Sequence, residues 1–158
     1  MHREVDLVEL MQGIALFGFW RETSLPLVRR DVAAMHDLYE DLIGKAEFVA
    51  IKVYILTEND RVDGSIFRVF VGGERMYPHL EDAWVEPGLF AHTVVKPKFG
   101  VSWPQAIMDT KVFFHRDWLP ASGYRAGGQD FETHSAESRG FAPRVQMYFN
   151  IEPLTPSP

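Results

Sequence analysis

The sequence predicts an α+β fold: a pseudo-twofold duplication of a β-α-β-β module, with an antiparallel sheet, two helices and a groove between the halves. Two observations predict this fold. A helical pattern followed by β-branched and aromatic runs occurs twice in the same order. The two predicted helices also open alike, with Ser24-Leu25-Pro26 and Ser102-Trp103-Pro104, 78 residues apart. A shared offset of this kind indicates an internal duplication.

Composition limits the class of protein. With 158 residues the chain has the length of one domain. It contains no cysteine, which excludes disulfides, thiolate catalysis and cysteine-ligated metal sites, and we predict a cytoplasmic protein. The formal net charge of −6 argues against a free-standing nucleic-acid binder, which needs basic residues to neutralise phosphates. No segment approaches the about 20 apolar residues of a membrane span, so we expect no membrane association.

The elements of the first half follow from residue spacing and from turn residues. A helix is predicted over residues 24–44, where Ser24 can cap the first turn and Gly44 can end the last. Strands are predicted over 13–21, 48–56 and 66–71, because these runs are short, apolar and rich in β-branched and aromatic residues. A polar turn at 59–64 separates the last two strands. The predicted core face of the helix has apolar residues at spacings of three and four: Val28, Val32, Met35, Tyr39 and Leu42.

The second half repeats this order. We predict a strand over 89–95, a helix over 102–119, and strands over 130–134 and 144–151. The predicted domain covers residues 1–153. Repeat one takes up about 10–76 and repeat two about 87–153, and the Pro-rich segment 154–158 is predicted to be a disordered tail.

Strand alternation assigns side chains to the two faces of the sheet, because successive residues point to opposite sides. On the last strand, Val145, Met147 and Phe149 are predicted to pack on a helix, which leaves Tyr148 on the other face. The 78-residue offset places Phe131 on the helix side and therefore Glu132 beside Tyr148. In the first half, the face without helices receives these residues: Lys52, Tyr54, Arg68 and Phe70.

The C-terminal half contains short motifs in a specific order: PGLFA at 87–91, WLPASGY at 118–124, DFE at 130–132, and a terminal strand with Tyr148. In these motifs the chain resembles the GyrI-like small-molecule-binding domains, also known as bacterial transcription-activator effector-binding domains. The resemblance covers residues 87–153, and in the first half it extends only to the order of elements. It implies two β-α-β-β modules with a ligand groove between them.

The resemblance also implies a range of functions. Family members are effector domains of drug-responsive regulators, stand-alone binders of cationic amphipathic compounds, a gyrase-modulating protein, and hydrolases of cyclopropane-bearing genotoxins. In the binders, the residue that corresponds to Glu132 lies in an aromatic pocket and faces the positive charge of the ligand. The alternative for Glu132 is a surface residue, or a salt bridge with Lys52 or Arg68. The predicted aromatic walls of the groove are Tyr148, Tyr54, Phe70, Trp118, Trp20, Phe90 and His92.

These observations favour a stand-alone binding module that sequesters or senses a hydrophobic, cationic or polyaromatic compound, as in multidrug recognition. A second hypothesis is a hydrolase of strained or electrophilic compounds, with Glu132 as general base and Tyr148 as hydrogen-bond donor. A third is an interaction protein that modulates gyrase. Because the six histidines lack metal-ligand spacing, we expect neither a metal nor a cofactor. No helix-turn-helix pattern is present, so we expect no direct DNA binding, and a protein partner or homodimer stays open.

Overall fold

The computed structural model describes residues 3–58, 66–97, 100, 102–139 and 143–155. The predicted turn at 59–64 and residues 156–158 of the predicted tail lie outside the described residues. The helical segments are α1 (Val28–Ile43), α2 (Lys45–Ala50), α3 (Trp103–Phe113), a π-helical turn (Phe114–Trp118), α4 (Leu119–Ser122) and a 3₁₀ turn (Ala136–Arg139). The strands are β1 (Asp6–Leu10), β2 (Ile14–Thr23), β3 (Val53–Glu58), β4 (Phe67–Gly73), β5 (Glu81–Val85), β6 (Gly88–Val95), β7 (Tyr124–His134) and β8 (Val145–Pro153).

The strands form one 8-stranded sheet in the order β1-β6-β8-β7-β3-β4-β2-β5. Every neighbouring pair is antiparallel. The prediction of an α+β fold with an antiparallel sheet is therefore confirmed. Strands β2, β3, β4 and β5 lie on one side of the β7/β3 contact. Strands β6, β7 and β8 lie on the other side, where β1 joins them at the far edge. The centre of the sheet, where β7 meets β3, is thus the boundary between the halves.

Two apolar clusters lie on the face that the helices cover. Under α1, Met35 and Tyr39 pack with β-strand residues such as Val69. Under α3, the ring of Phe114 stacks on Phe149 with 4.0 Å between ring centroids. Because apolar burial is the main stabilising contribution to such a domain, these two clusters fix both helices on one face of the sheet.

A third cluster lies on the face without helices. It joins Leu16 on β2, Phe70 on β4 and Phe90 on β6, and none of these three is more than 1% exposed. Strands β6 and β2 are far apart in the sheet order, and none of the described helices contributes a residue to this cluster. The sheet must therefore curl around this cluster, and we call the enclosed side the concave face.

The sequence prediction differs from the structure in several elements. Residues 48–50, predicted as strand, belong to helix α2. The sequence does not predict strands β1 and β5, because these edge strands carry exposed acidic residues within a short apolar pattern. Ser102 caps α3 as predicted, since its hydroxyl accepts a hydrogen bond from the Gln105 amide at 3.3 Å. Ser24 instead lies in a turn before α1, and its carbonyl accepts from the Val28 amide.

None of the helices in the described part of the chain is long and apolar enough to cross a membrane.

Candidate functional site

The candidate site is a cavity of about 180 Å³ on the concave face. Its walls come from β1, β2, β3, β6, β7 and β8, so the two halves of the chain both contribute. The lining is mainly apolar and aromatic, with one ammonium group and three side-chain hydroxyls. The lining residues are Val8, Leu10, Ile14, Lys52, Tyr54, Phe90, Phe131, Thr133 and Tyr148.

A row of rings runs along one wall of the cavity, and we call it the aromatic row: Tyr54, Phe131 and Tyr148, which line the cavity, and His92, which continues the row beyond the lining. Strand pairing produces this row, because Phe131 lies opposite Tyr148 on β8, and Tyr148 lies opposite His92 on β6. The Phe131 and Tyr148 rings stack with centroids 4.5 Å apart and planes 14° apart. The His92 ring lies 4.7 Å from Tyr148, and Phe90 meets Phe131 edge-on at 5.5 Å. Such contacts hold flat ring faces in place, which suits stacking on a planar ligand.

The hydroxyls of Tyr54 and Tyr148 are hydrogen-bonding groups of the cavity. The Tyr54 hydroxyl donates to Glu74 Oε2 at 3.1 Å. The Tyr148 hydroxyl has no hydrogen-bond partner among the described residues. Burial, together with the charge of Glu74, raises the pKa of Tyr54, and burial raises the pKa of Tyr148. Both hydroxyls therefore stay protonated at neutral pH, and that of Tyr148 is free to donate to a ligand.

The other predicted wall residues occupy different positions. Phe70 is fully buried in the cluster on the concave face, and the Trp20 ring packs on it with centroids 5.2 Å apart. Both residues belong to this cluster but do not line the cavity. Trp118 lies on the opposite face of the sheet. There its ring stacks on Phe114 at 5.3 Å and lies parallel to Tyr124 at 6.4 Å.

Glu132 also lies on the face of the sheet that the helices cover. The 78-residue offset predicts that it lies beside Tyr148 on the concave face, and this prediction is wrong. It pairs with Ile55 on β3 and Met147 on β8, both of which face the helices. The offset of 78 fails here because the two halves connect helix and strand differently. The first half inserts α2, whereas the second inserts the π-helical turn, α4 and a bulge within β7. A difference of one residue moves every side chain of a strand to the other face.

The surroundings of Glu132 are polar and closed. The side chain is 9% exposed, and His134 Nε2 lies 3.1 Å from Glu132 Oε2. The Glu132 carboxylate therefore pairs with His134, and not with Lys52 or Arg68 as in the alternative prediction. Burial acts to raise the pKa of Glu132. The hydrogen bond and charge of His134, with the charges of Lys111 and His36, outweigh it and hold the pKa below its usual value. A space of only about 10 Å³ adjoins the carboxylate, too small for a ligand.

Comparisons with known proteins find the same architecture elsewhere. An integron cassette protein from the mobile metagenome of Vibrio cholerae superposes with a TM-score of 0.67 at 16% identity, over 94% of this chain and 95% of that one. The C-terminal domain of EcmrR superposes with a TM-score of 0.66 at 9% identity, over 98% of this chain and 100% of that one. SAV2435 bound to tetraphenylphosphonium gives 0.59 at 9% identity, over 96% and 94%. The chain shares the fold of these proteins.

This likeness is consistent with the GyrI-like fold. At 16% identity or less, it shows the fold and not the ligand. No family model matches the sequence, and none of the curated proteins matches it.

Within the described residues, no group of three or more histidine or acidic residues is placed to hold a metal ion.

We expect the Glu132 carboxylate to make stability pH-dependent. Because its pKa in the folded chain lies below that in the unfolded chain, it stabilises the fold at neutral pH. This contribution is lost as the pH falls below about 4.3, the usual value for glutamate. Glu132→Gln should lower the free energy of unfolding at pH 7 by about 1–3 kcal/mol. It should also reduce the loss of stability between pH 6 and pH 3, measured by urea unfolding.

The control for this prediction is Glu152→Gln, an exposed acid that pairs with Arg125 at 3.0 Å on the surface. Its effect should stay below about 1 kcal/mol at pH 7, because exposed ion pairs contribute little. Equal pH profiles for wild type and Glu132→Gln would contradict the stabilising role of the Glu132 carboxylate.

Several cavity residues were missed by reasoning from sequence. Val8, Leu10 and Ile14 come from β1 and the start of β2, where the acidic residues of β1 concealed the strand pattern. Phe131 was assigned to the wrong face. The sequence contains a signal for the face of Phe131. Gly127-Gly128 lies earlier in the same strand, and glycine within a strand is typical of a bulge.

Proposed function

We propose that the chain is a small-molecule binding domain that holds a hydrophobic, aromatic compound in the cavity beside the aromatic row. The observation that carries this proposal is the cavity of about 180 Å³, whose lining is apolar and aromatic with a few hydroxyls. Linings of this kind are typical of ligand pockets, which usually measure about 300–1,000 Å³ for drug-sized compounds. The ligand is therefore a compound of one or two rings, or the inserted part of a larger one.

The role that fits such a cavity is sensing or sequestration of the compound. Support comes from the shared fold, because SAV2435 is a structure with a bound lipophilic ion, tetraphenylphosphonium. In this chain the stacked rings of Phe131 and Tyr148 would provide the equivalent apolar contact.

A positive charge on the ligand is not required by this proposal. The sequence predicts that Glu132 faces a cation, but its carboxylate contacts His134 on the helix side of the sheet. The described residues that line the cavity include no carboxylate. Shape and apolar contact therefore carry the proposed recognition.

The hydrolase hypothesis gains no support from the geometry. It needs Glu132 and Tyr148 at one substrate, whereas Glu132 lies opposite Met147, the neighbour of Tyr148 that faces the other way. A lowered pKa also makes the Glu132 carboxylate a weaker base. Nothing in the described residues favours a gyrase-modulating role. The absence of direct DNA binding, the cytoplasmic location and the homodimer stay predictions.

The test uses N-phenyl-1-naphthylamine, a neutral aromatic dye whose fluorescence rises in apolar surroundings. We expect saturable binding to the wild-type chain. Tyr148→Leu should weaken this binding about tenfold, because it removes the ring stacked on Phe131 together with the free hydroxyl. Tenfold corresponds to about 1.4 kcal/mol, within the range of one lost aromatic contact and its buried area.

A matched control is Tyr124→Leu, which removes a partly buried tyrosine on the opposite face, beside Trp118. Dye affinity should change less than twofold in this variant. Absence of saturable binding by the wild type would refute the proposal. So would an equal loss of affinity in the two variants.

A further inference from the structure

Lys52 is the charged residue among the described residues that line the cavity. It directly precedes β3 and points to the concave face, like Tyr54 two residues later. Its Nζ atom lies 5.9 Å from the centre of the Tyr54 ring. The ammonium group is therefore held at the end of the aromatic row by contact with the first ring of that row.

Lys52 has no carboxylate within ion-pair distance among the described residues. None of the ion pairs within the described ranges includes Lys52. The nearby acid Glu74 is exposed and accepts the hydrogen bond of the Tyr54 hydroxyl. At the opposite end of the aromatic row, Asp6 lies 3.9 Å from His92. Each of these acids has a hydrogen-bond or ion-pair partner, whereas Lys52 contacts a ring and forms no ion pair with a described residue.

Hydroxyl donors accompany this cation. Thr133 lies opposite Tyr54 in the strand register and lines the cavity beside Lys52. The free Tyr148 hydroxyl faces the same space. An ammonium group and nearby hydroxyls can all donate hydrogen bonds. They suit an ionised carboxylate or sulfonate, because these anions only accept hydrogen bonds.

We propose that the ligand of this cavity is an aromatic anion, with its rings on the aromatic row and its acidic group bound by Lys52. This inference rests on the proposed function and adds the charge of the ligand to it. The formal net charge of −6 acts against an anion only weakly, because charges beyond about 8–10 Å are screened at physiological salt. Lys52 acts at contact distance.

The experiment compares two dyes with one skeleton: 8-anilinonaphthalene-1-sulfonate, which is anionic, and N-phenyl-1-naphthylamine, which lacks the sulfonate. In the wild type the anionic dye should bind about fivefold more tightly than the neutral one. In Lys52→Met this affinity ratio should fall to about one. Lys45→Met, an exposed lysine at the start of α2, should keep the wild-type ratio. Lys52 is itself exposed, so its replacement leaves the core intact.

A second matched pair tests the sign of the charge directly. Tetraphenylborate and tetraphenylphosphonium have the same shape and opposite charges, and the borate should be the stronger competitor for the cavity. Equal binding of the two naphthalene dyes, or stronger competition by the phosphonium, would overturn the anion inference. If the dyes still respond to Tyr148→Leu, the proposed binding function survives that result. If neither dye binds, both proposals are overturned.

Discussion

Replacement of Phe131 by alanine is expected to lower the free energy of unfolding by about 3–5 kcal/mol and to reduce binding of N-phenyl-1-naphthylamine at least tenfold. Phe131 is 5% exposed, and its ring contacts Tyr54, Phe90 and Tyr148 at centroid distances of 6.0, 5.5 and 4.5 Å. Removing it leaves a void within the aromatic row and frees the Tyr148 ring to move. Stability and binding therefore depend on the same side chain.

Phe149→Ala is the matched control for this prediction. Phe149 is 1% exposed and stacks on Phe114 on the helix side of the sheet. It lies opposite Asp130, one position from the Phe131–Tyr148 pair. We expect a similar loss of stability, about 3–5 kcal/mol, with dye affinity within twofold of wild type.

Urea unfolding at 25 °C gives the stability of each variant, and fluorescence titration gives the affinity. If alanine leaves too little folded protein, Phe131→Leu and Phe149→Leu provide the same comparison with smaller losses of stability. A loss of dye affinity in the Phe149 variant as large as in the Phe131 variant would show that binding follows overall stability and not the cavity.

Gly18→Ala is the second large effect that we expect, with a destabilisation of about 3 kcal/mol or more. A Cβ atom on Gly18 would lie 2.1 Å from the Val71 carbonyl oxygen and 2.6 Å from the Gly72 Cα atom. Both contacts are with backbone, which cannot move without breaking the pairing of β2 with β4. Gly18 and Gly72 are register partners in that pairing. Glycines placed in this way are typical of a close approach or a sharp bend in a sheet.

The control is Gly123→Ala, which separates backbone conformation from steric contact. Gly123 has φ of 81°, and a Cβ atom there would meet nothing within 4 Å. Its replacement should destabilise the chain by about 1–2 kcal/mol, the usual value for a residue with a side chain in the left-handed region. Chemical denaturation of both variants provides the comparison. A destabilisation by Gly18→Ala no larger than that by Gly123→Ala would contradict the close approach of β2 and β4.

The curl of the sheet connects this second prediction to the site. Val8 and Leu10 on β1 reach the same cavity as Tyr54 on β3, although these strands are separated in the sheet order. The sheet can bring them together only by curving strongly. A change that forces β2 away from β4 should therefore reduce the curvature and open the cavity. We expect Gly18→Ala to bind the dye more weakly than the wild type, in addition to being less stable.

Much of this architecture follows from the sequence by itself. Helical spacing between residues 28 and 42 predicts α1, and the Ser102-Trp103-Pro104 opening predicts the capped start of α3. These signals are local, since capping and periodicity depend on residues within one or two turns. The alternation in β8 likewise places Tyr148 on the face without helices, because the apolar phase of that strand is uninterrupted.

Tertiary structure alone decided which residues share the cavity. The face of Phe131 and Glu132 depends on the bulge in β7 and on α2 in the other half, and an odd change in connection length exchanges the two faces. Lys52 and Val8 meet at one cavity only because the sheet curls, which no spacing along the chain encodes. The sequence by itself determined α1, the capped start of α3 and the faces of β8, but not β1, β5 or α2. Strand register and sheet curvature decided the rest, because both arise from contacts between distant strands. They place the aromatic rings and Lys52 at the cavity and turn the Glu132 carboxylate towards the helices.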